Sequence, residues 1–278
     1  MSKSQLLVTV SIFLLSANIY AGNKNPILDE EFTLSLSAYD LKANGDITTQ
    51  SIEFNNQEFT ITLDDIGLET EVDTFWIDAK WRPFERWSFM VEYFSYSESS
   101  SASRNVETVY QNIVFGANKT LKADFDVDIL SLSTAYRFLD GENYALDFGV
   151  GVHAMDISFS LEGAGEIYAN NTVTTSNNIK KNASILAPLP NVMLYGTYAF
   201  NEYLSLSGRA GWLSVNYGKY EGDLRRANVT LEYRPLEHIG FGLGYNYSEL
   251  DIVREGRTLT EIFNIDFSGP LLTVKAGF

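Results

Sequence analysis

The sequence predicts an all-β protein, an antiparallel up-and-down transmembrane β-barrel with ten strands, short periplasmic turns and long extracellular loops. Three observations support this. Apolar and polar residues alternate with period two in segments longer than ordinary globular strands. Short and long connections alternate along the chain, as in membrane barrels. After the N-terminal segment no 18 consecutive residues are apolar, so no transmembrane helix is predicted although 14% of the residues are aromatic.

Ten segments carry the alternation. In chain order they span residues 32–39, 75–81, 87–94, 130–138, 144–153, 192–200, 204–212, 227–234, 239–247 and 272–278. A strand of about 9–11 residues crosses a tilted bilayer, and these segments are expected to be long enough. The short connections are 82–86, 139–143, 201–202 and 235–238, and the longer, polar ones are 43–70, 98–121, 162–186, 218–222 and 254–262. The short set predicts four periplasmic turns and the long set predicts extracellular loops.

The N-terminus reads as a secretory signal peptide. Lys3 begins a short basic region, residues 6–20 are mostly apolar, and Ala21 offers a cleavage site. Cleavage after Ala17 and retention as a membrane anchor are the alternatives. The predicted organisation is a signal peptide at 1–21 and a single barrel domain at 22–278.

Charge and cysteine content exclude two classes of function. The formal net charge is −16, whereas phosphate binding needs clustered Lys and Arg, so no nucleic-acid partner is expected. The chain has no cysteine, which excludes disulfides, thiolate metal sites and a cysteine nucleophile.

The last ten residues, GPLLTVKAGF, end in Phe278 after alternating apolar positions. They resemble the C-terminal β-signal of Gram-negative outer-membrane barrels, and the chain looks like the OmpA-like and porin-like group without matching one subfamily. The resemblance implies a bacterial outer-membrane location and recognition by the barrel-assembly machinery. Phe263, Ile265 and Phe267 alternate on the opposite parity, so we expect a bulge near residues 269–270.

Aromatic residues flank the short turns, where an amphipathic ring suits the membrane interface. The predicted interface residues are Trp81, Trp87, Tyr136, Tyr144, Tyr198, Tyr203 and Tyr233. Two of these turns repeat one pattern, WRPFERW at 81–87 and YRPLEHI at 233–239. Pro83 and Pro235 are expected to end the strands there, so the pattern is interpreted as a turn that fixes topology.

Charged residues of both signs occupy the face opposite the lipid-facing one. The predicted lumen charges are Asp78, Lys80, Glu92, Arg137, Asp147, Arg209, Arg226, Glu232, Arg234 and Lys275. A ten-strand barrel is narrow, and unpaired buried charges are costly. A salt-bridged, largely plugged lumen is therefore expected. A narrow channel with charged constrictions, passing small solutes, is the alternative.

His153 is the weak candidate for catalysis. It lies on the lumen face, with Asp147 and Asp156 nearby and Ser158 and Ser160 following. An outer-membrane protease or a lipid A-modifying hydrolase would need such groups, but neither motif can be matched residue by residue. The chain is therefore expected not to be an enzyme.

The run DFDVD places Asp124, Asp126 and Asp128 on one strand face, a weak candidate for Ca²⁺ binding through carboxylate oxygens. No cofactor is expected. The expected partners are outer-membrane lipid and lipopolysaccharide, and the protein is expected to be a monomer. The predicted function is a structural or narrow porin-like barrel, with an enzyme or an adhesin acting through its loops as alternatives.

Overall fold

The structure, a computed structural model, describes residues 24–105, 107–169, 172–217 and 220–278. The predicted signal peptide lies outside the described residues. The described residues form one short α-helix, α1 (Pro26–Asp29), and two 3-10 turns, Ile52–Phe54 and Asp64–Ile66. The strands are β1 (Phe32–Ser51), β2 (Glu58–Thr62), β3 (Glu71–Phe84), β4 (Trp87–Arg104), β5 (Thr108–Tyr110), β6 (Ile113–Phe115), β7 (Lys119–Asp140), β8 (Tyr144–Ala169), β9 (Thr172–Ala199), β10 (Leu204–Tyr217), β11 (Tyr220–Tyr233), β12 (Ile239–Glu255) and β13 (Leu259–Gly277).

The long strands close into a ring. Antiparallel pairing runs β1–β3–β4–β7–β8–β9–β10–β11–β12–β13 and returns from β13 to β1. The C-terminal residue completes the seam, since Phe278 N donates to Phe32 O over 2.9 Å and Phe32 N donates to Phe278 O over 3.0 Å. The short strand β2 pairs with β1, and the β5–β6 hairpin pairs with β8. A ring without free edges pairs the backbone internally, as a membrane requires.

One half of the barrel, next to the four short turns, carries an apolar outer surface. We call it the inner half (residues 32–38, 73–93, 130–154, 184–212, 227–247 and 269–278). Its outward side chains include Leu36 (54% exposed), Phe148 (50%) and Leu243 (65%), whereas inward-facing Ser35 and Ser37 are buried. The period-two alternation therefore builds a lipid-facing band around a polar interior.

The other half inverts this pattern. In the outer half (residues 39–72, 94–105, 107–129, 155–169, 172–183, 213–217, 220–226 and 248–268), the inward side chains that the structure describes are mostly apolar and the outward ones mostly polar. On β7, for example, Phe125 and Val127 are fully buried while outward Asp128 is exposed. Buried apolar residues from most of the long strands join one core, which also includes Ile61, Ile66 and Ile113 from the loop segments. The outer half is thus packed like a soluble β-barrel.

The extracellular ends differ from the sequence expectation. The segments 98–121 and 162–186, predicted as loops, are largely strand: β4 continues to Arg104, and β8 and β9 contain 26 and 28 residues. These lengths exceed the 9–11 residues that cross a bilayer, so the strands continue beyond the apolar band. Their outward Ser, Asn and Asp residues resemble a loop in composition because that face meets water.

The bulge expected near residues 269–270 is absent. Pairing of β13 with β12 keeps one register from Ile239–Ala276 to Glu255–Thr260, and pairing with β1 has the same register on both sides of the site. Phe263, Ile265 and Phe267 use the opposite parity because they face the apolar core of the outer half. Gly269 has φ +152°, and a Cβ there would lie 1.9 Å from Asp40 O, so close approach of the backbone requires glycine.

The repeated turn motif ends its strands in two ways. β11 ends at Tyr233, so Pro235 follows the strand as expected, whereas β3 continues through Pro83 to Phe84. The β3–β4 register shifts between Trp81 and Phe84, and this irregularity accommodates a residue that has no N–H. Within the described residues, no helix has the length and apolar character to cross a membrane.

Candidate functional site in the barrel interior

The inner half encloses a polar cavity of about 170 Å³. Hydroxyl-bearing residues of β1, charged residues of β3, β4 and β10, and Leu28 of α1 line it. Every predicted lumen charge except Arg226 and Arg234 lines this cavity, and those two bind carboxylates that do. A polar cavity of this size accommodates several water molecules.

Glu92 organises the centre of the barrel. Its side chain is 3% exposed and accepts hydrogen bonds from Arg209 and, at 2.8 Å, from Arg226 Nη2. Each guanidinium also lies over an aromatic ring, with Arg209 5.0 Å from the Tyr195 centroid and Arg226 5.0 Å from the Trp76 centroid. One carboxylate on β4 therefore joins β10 and β11 across the lumen, and the rings offset part of the cost of burying the charges.

Two further clusters lie closer to the short turns. Asp147 accepts from Arg137 Nε at 3.0 Å and lies 3.5 Å from Lys80 Nζ. Glu232 accepts from Arg234 Nη2 at 2.7 Å and from Lys275 Nζ at 2.9 Å. The remaining predicted charge, Asp78, lines the cavity opposite Glu92 in the β3–β4 ladder.

His153 lies inside the barrel, fully buried, with its ring against the side chain of Asn191. The groups proposed to act with it lie elsewhere. Asp147 is held by Arg137 towards the short turns, and Asp156 is paired across the ladder with outward-facing Asp128. Ser158 and Ser160 also face outward and donate to carboxylates of β7. The described residues thus do not bring the proposed catalytic groups together.

The three aspartates of DFDVD face outward on β7 in the outer half. Asp124 accepts from Ser99 Oγ at 3.0 Å and from Ser160 Oγ at 2.8 Å. Asp126 accepts from serine hydroxyls of β4 and β8, and Asp128 accepts from Tyr93 at 2.8 Å. Among the described residues, no group of three or more His, Cys, Asp or Glu could hold a metal ion. The aspartates instead form a ladder with neighbouring hydroxyls.

The predicted interface aromatics lie on the outer wall near the short turns. Six of them are 45–56% exposed: Trp81, Trp87, Tyr144, Tyr198, Tyr203 and Tyr233. Tyr136 is half-buried and packs against Trp87, with ring centroids 5.2 Å apart. C-terminal Phe278 stacks on His238, 4.9 Å between centroids, so this end of the barrel is ringed by aromatic groups.

Sequence reasoning missed the cap of the outer half. Glu261 is 1% exposed and accepts from Tyr110 at 3.2 Å, from Gln111 at 3.1 Å and from Arg254 at 3.0 Å. Burial, followed by the nearby Glu261 carboxylate, raises the pKa of Tyr110 well above its ordinary value. The β5–β6 hairpin is therefore fixed over the core by buried hydrogen bonds. Nothing in its short sequence signals this role.

Two outer-wall carboxylates predict opposite responses to pH. Burial, then the facing Glu249 carboxylate, raises the pKa of Asp266 above 3.8, whereas hydrogen bonds from Ser160 and Ser99 lower that of Asp124. A carboxyl group whose pKa is raised on folding stabilises the folded state below its unfolded pKa, and this stabilisation is lost as the pH rises. A carboxyl group whose pKa is lowered on folding stabilises the folded state above its unfolded pKa, and this stabilisation is lost as the pH falls. At pH 7, Asp266→Asn should therefore stabilise and Asp124→Asn destabilise, each by less than about 1 kcal/mol after solvent screening.

Thermal unfolding in detergent micelles between pH 3 and pH 7 measures this pair. Both differences from the native chain should shrink towards pH 3. The same sign for both variants at pH 7 would contradict the assignment of the two environments.

Sequence comparison identifies no relative, since no family model and no curated protein matches the chain. Solved structures do match. The outer membrane protease OmpT from Escherichia coli has a TM-score of 0.54 at 12% identity, over 90% of this chain and 97% of that one. The Pseudomonas putida toluene transporter TodX gives 0.33 at 9%, over 95% of both chains. The Yersinia pestis attachment invasion locus protein Ail gives 0.27 at 7%, over 87% and 99%.

At such low sequence identities, a structural match shows a similar fold and nothing more. Of the three, only the match to OmpT has a TM-score high enough to support that inference. Together with the closed ring and its apolar band, it confirms the predicted class: the chain is an all-β, antiparallel transmembrane barrel of the bacterial outer membrane.

Proposed function

We propose that this chain is a structural outer-membrane barrel that neither conducts solutes nor catalyses a reaction. Its inner half anchors the protein in the membrane, and its outer half holds a packed β-barrel above the bilayer. Lipid and lipopolysaccharide would surround the monomer, which the barrel-assembly machinery would insert by recognising β13 and the Phe278 that follows it.

The apolar core of the outer half carries this proposal. A continuous series of aromatic rings runs through it from Trp76 at its border with the inner half, with neighbouring centroids 5.2–6.3 Å apart: Trp76, Phe94, Phe267, Tyr96, Phe125, Phe159 and Tyr110. Five of these side chains are at most 3% exposed. Interiors packed in this way leave few voids larger than a water molecule. Among the described residues, the packed rings therefore leave a hydrated solute in the polar cavity no aqueous route outward.

The arrangement of polar groups supports the non-enzymatic part. His153 is fully buried, so a substrate would have to unpack the described part of the barrel to reach it. The aspartates Asp124, Asp126, Asp128 and Asp156 lie on the outer wall instead. A catalytic role would need a histidine and carboxylates that lie together at an accessible surface. The contacts described for His153 and for these carboxylates are structural.

Solute flux tests the proposal. The folded protein is reconstituted into liposomes, and swelling in an iso-osmotic arabinose solution is compared with that of protein-free liposomes and of liposomes containing a general diffusion porin. We expect liposomes that contain the barrel to swell at the same rate as protein-free liposomes. Swelling that increases with the amount of barrel added would overturn the proposal.

A further inference from the structure

Three strands that end at the short turns carry the same aromatic–arginine pair. β3 has Trp81–Arg82, β7 has Tyr136–Arg137, and β11 ends at Tyr233 followed by Arg234. Successive side chains of a strand point to opposite faces. Each aromatic ring therefore lies at the outer wall, whereas the three arginines are 4–8% exposed and point inward. Two of these pairs belong to the repeated motifs WRPFERW and YRPLEHI.

The arginines share one binding partner, the segment at residues 24–31 that precedes β1, which we call the N-terminal latch. Arg82 donates from Nη2 to Asp29 Oδ1 at 3.1 Å and from Nε to Glu30 O at 3.2 Å. Arg137 donates from Nη1 to Leu28 O at 3.0 Å. The Glu30 carboxylate, 8% exposed, binds Arg234 and lies 3.5 Å from Lys275 Nζ.

The latch also fills the mouth of the barrel with apolar groups. Ile27 and Leu28 are 5% and 3% exposed and line the polar cavity, where Leu28 packs against Ala145 and Ala199. Asn25 N donates to Glu142 O in the β7–β8 turn at 3.0 Å. The mouth thus offers a complementary group to each part of the latch: to its carboxylate, to its backbone carbonyls and to its two aliphatic side chains.

The latch joins the two sides of the closing seam. On the β3 side of β1, Arg82 belongs to β3 and Arg137 to β7. On the β13 side, Lys275 belongs to β13 and Arg234 directly follows β11. At the end of the latch, Glu31 N donates to Phe278 O at 2.7 Å and Glu31 O accepts from Arg82 N at 2.7 Å. Charge-assisted bonds to arginine are among the stronger hydrogen bonds in proteins.

We propose that the arginine-lined mouth is a binding site for an acidic peptide segment, occupied in cis by the N-terminal latch, and that this contact closes the lumen at the short-turn end. The repeated aromatic–Arg pair then has two roles: the ring faces the membrane interface and the guanidinium holds the latch. This closure is separate from the apolar core of the outer half, so each can fail without the other.

Cysteine accessibility tests the latch, because the chain has no cysteine of its own. Ser207→Cys places a thiol in the polar cavity, which Ser207 lines. We expect a membrane-impermeant maleimide in detergent micelles to modify this variant at least tenfold faster once Glu30→Arg reverses the charge facing Arg234 and Lys275. The matched control is Glu85→Arg, which reverses the charge of an exposed carboxylate in the β3–β4 turn, outside the latch, and should leave the rate unchanged.

Two further thiol positions separate latch release from unfolding. Asn201→Cys, in an exposed turn, should react quickly in every background, and Ala123→Cys, fully buried in the outer core, should remain unreactive. Where Glu30→Arg does not fold, deletion of residues 24–30 gives the same comparison. A synthetic peptide of residues 22–31 should then slow the reaction of the Ser207→Cys thiol, and a peptide with Gln and Asn in place of its acidic residues should not. Equal rates with and without the latch charge, or no effect of the peptide, would overturn the proposal.

Discussion

Replacing Glu92 by Ala should lower the free energy of unfolding by about 3–5 kcal/mol, because it leaves two buried guanidinium groups without their carboxylate. Glu92 is 3% exposed, and the side chain of Arg226 is 9% exposed, so water cannot replace the lost partner readily. Arg209 and Arg226 reach Glu92 from β10 and β11, so the loss also unlinks opposite walls of the lumen. Equilibrium urea unfolding in micelles measures the difference.

The matched control is Glu249→Ala. Glu249 pairs with Arg225 on the outer wall at 3.4 Å, with side chains 30% and 58% exposed. Exposed pairs contribute about 0–1 kcal/mol, so this variant should lose little stability. If the two variants lost the same amount, the network around Glu92 would not be a buried one.

Replacing Phe159 by Ala should cost about 3–5 kcal/mol, the range observed when a large ring is removed from a packed core. Phe159 is 1% exposed, and its ring lies 5.2 Å from that of Tyr110 and 6.3 Å from that of Phe125. The same unfolding measurement applies. Val173→Ala, at a side chain 51% exposed on β9, should change stability by less than about 0.5 kcal/mol. A small loss at Phe159 would mean that the outer half is loosely filled.

The apolar band could be predicted because it depends on local sequence alone. A side chain that faces lipid must be apolar whatever its neighbours are, so Leu130 and Leu132 on β7 reveal the alternation directly. The aromatic residues beside the short turns follow from the same local rule, since the interface favours Trp and Tyr at the strand ends. The fold class therefore follows from the period-two alternation of apolar and polar residues and from the alternation of short and long connections.

The outer half could not be recognised in the same way. Its outward residues are Ser, Asn and Asp, which give β4 and β9 the composition of a loop, and its inward residues alternate on the other parity. On β13 the run containing Phe263 and Phe267 carries that signal, but its parity predicts a bulge that is absent. A change of parity at constant register indicates a change of surroundings from lipid to water.

The partners of the lumen charges depend on barrel closure. Glu92 is separated from Arg209 by 117 residues and from Arg226 by 134, so no local pattern pairs them. The N-terminal latch was missed for a similar reason. Its helix has four residues, and Glu30 gains its role only when β11 and β13 bring Arg234 and Lys275 to it.

Single-channel recording in planar bilayers tests the central claim, that the apolar core seals the barrel, most directly. The native protein is inserted at symmetric 1 M KCl, with a general diffusion porin as the positive control. If the core is sealed, the conductance of the membrane stays at its baseline value after the protein has inserted. Recovery of folded protein from the membrane verifies the insertion. Stable, uniform conductance steps from the native chain would contradict it.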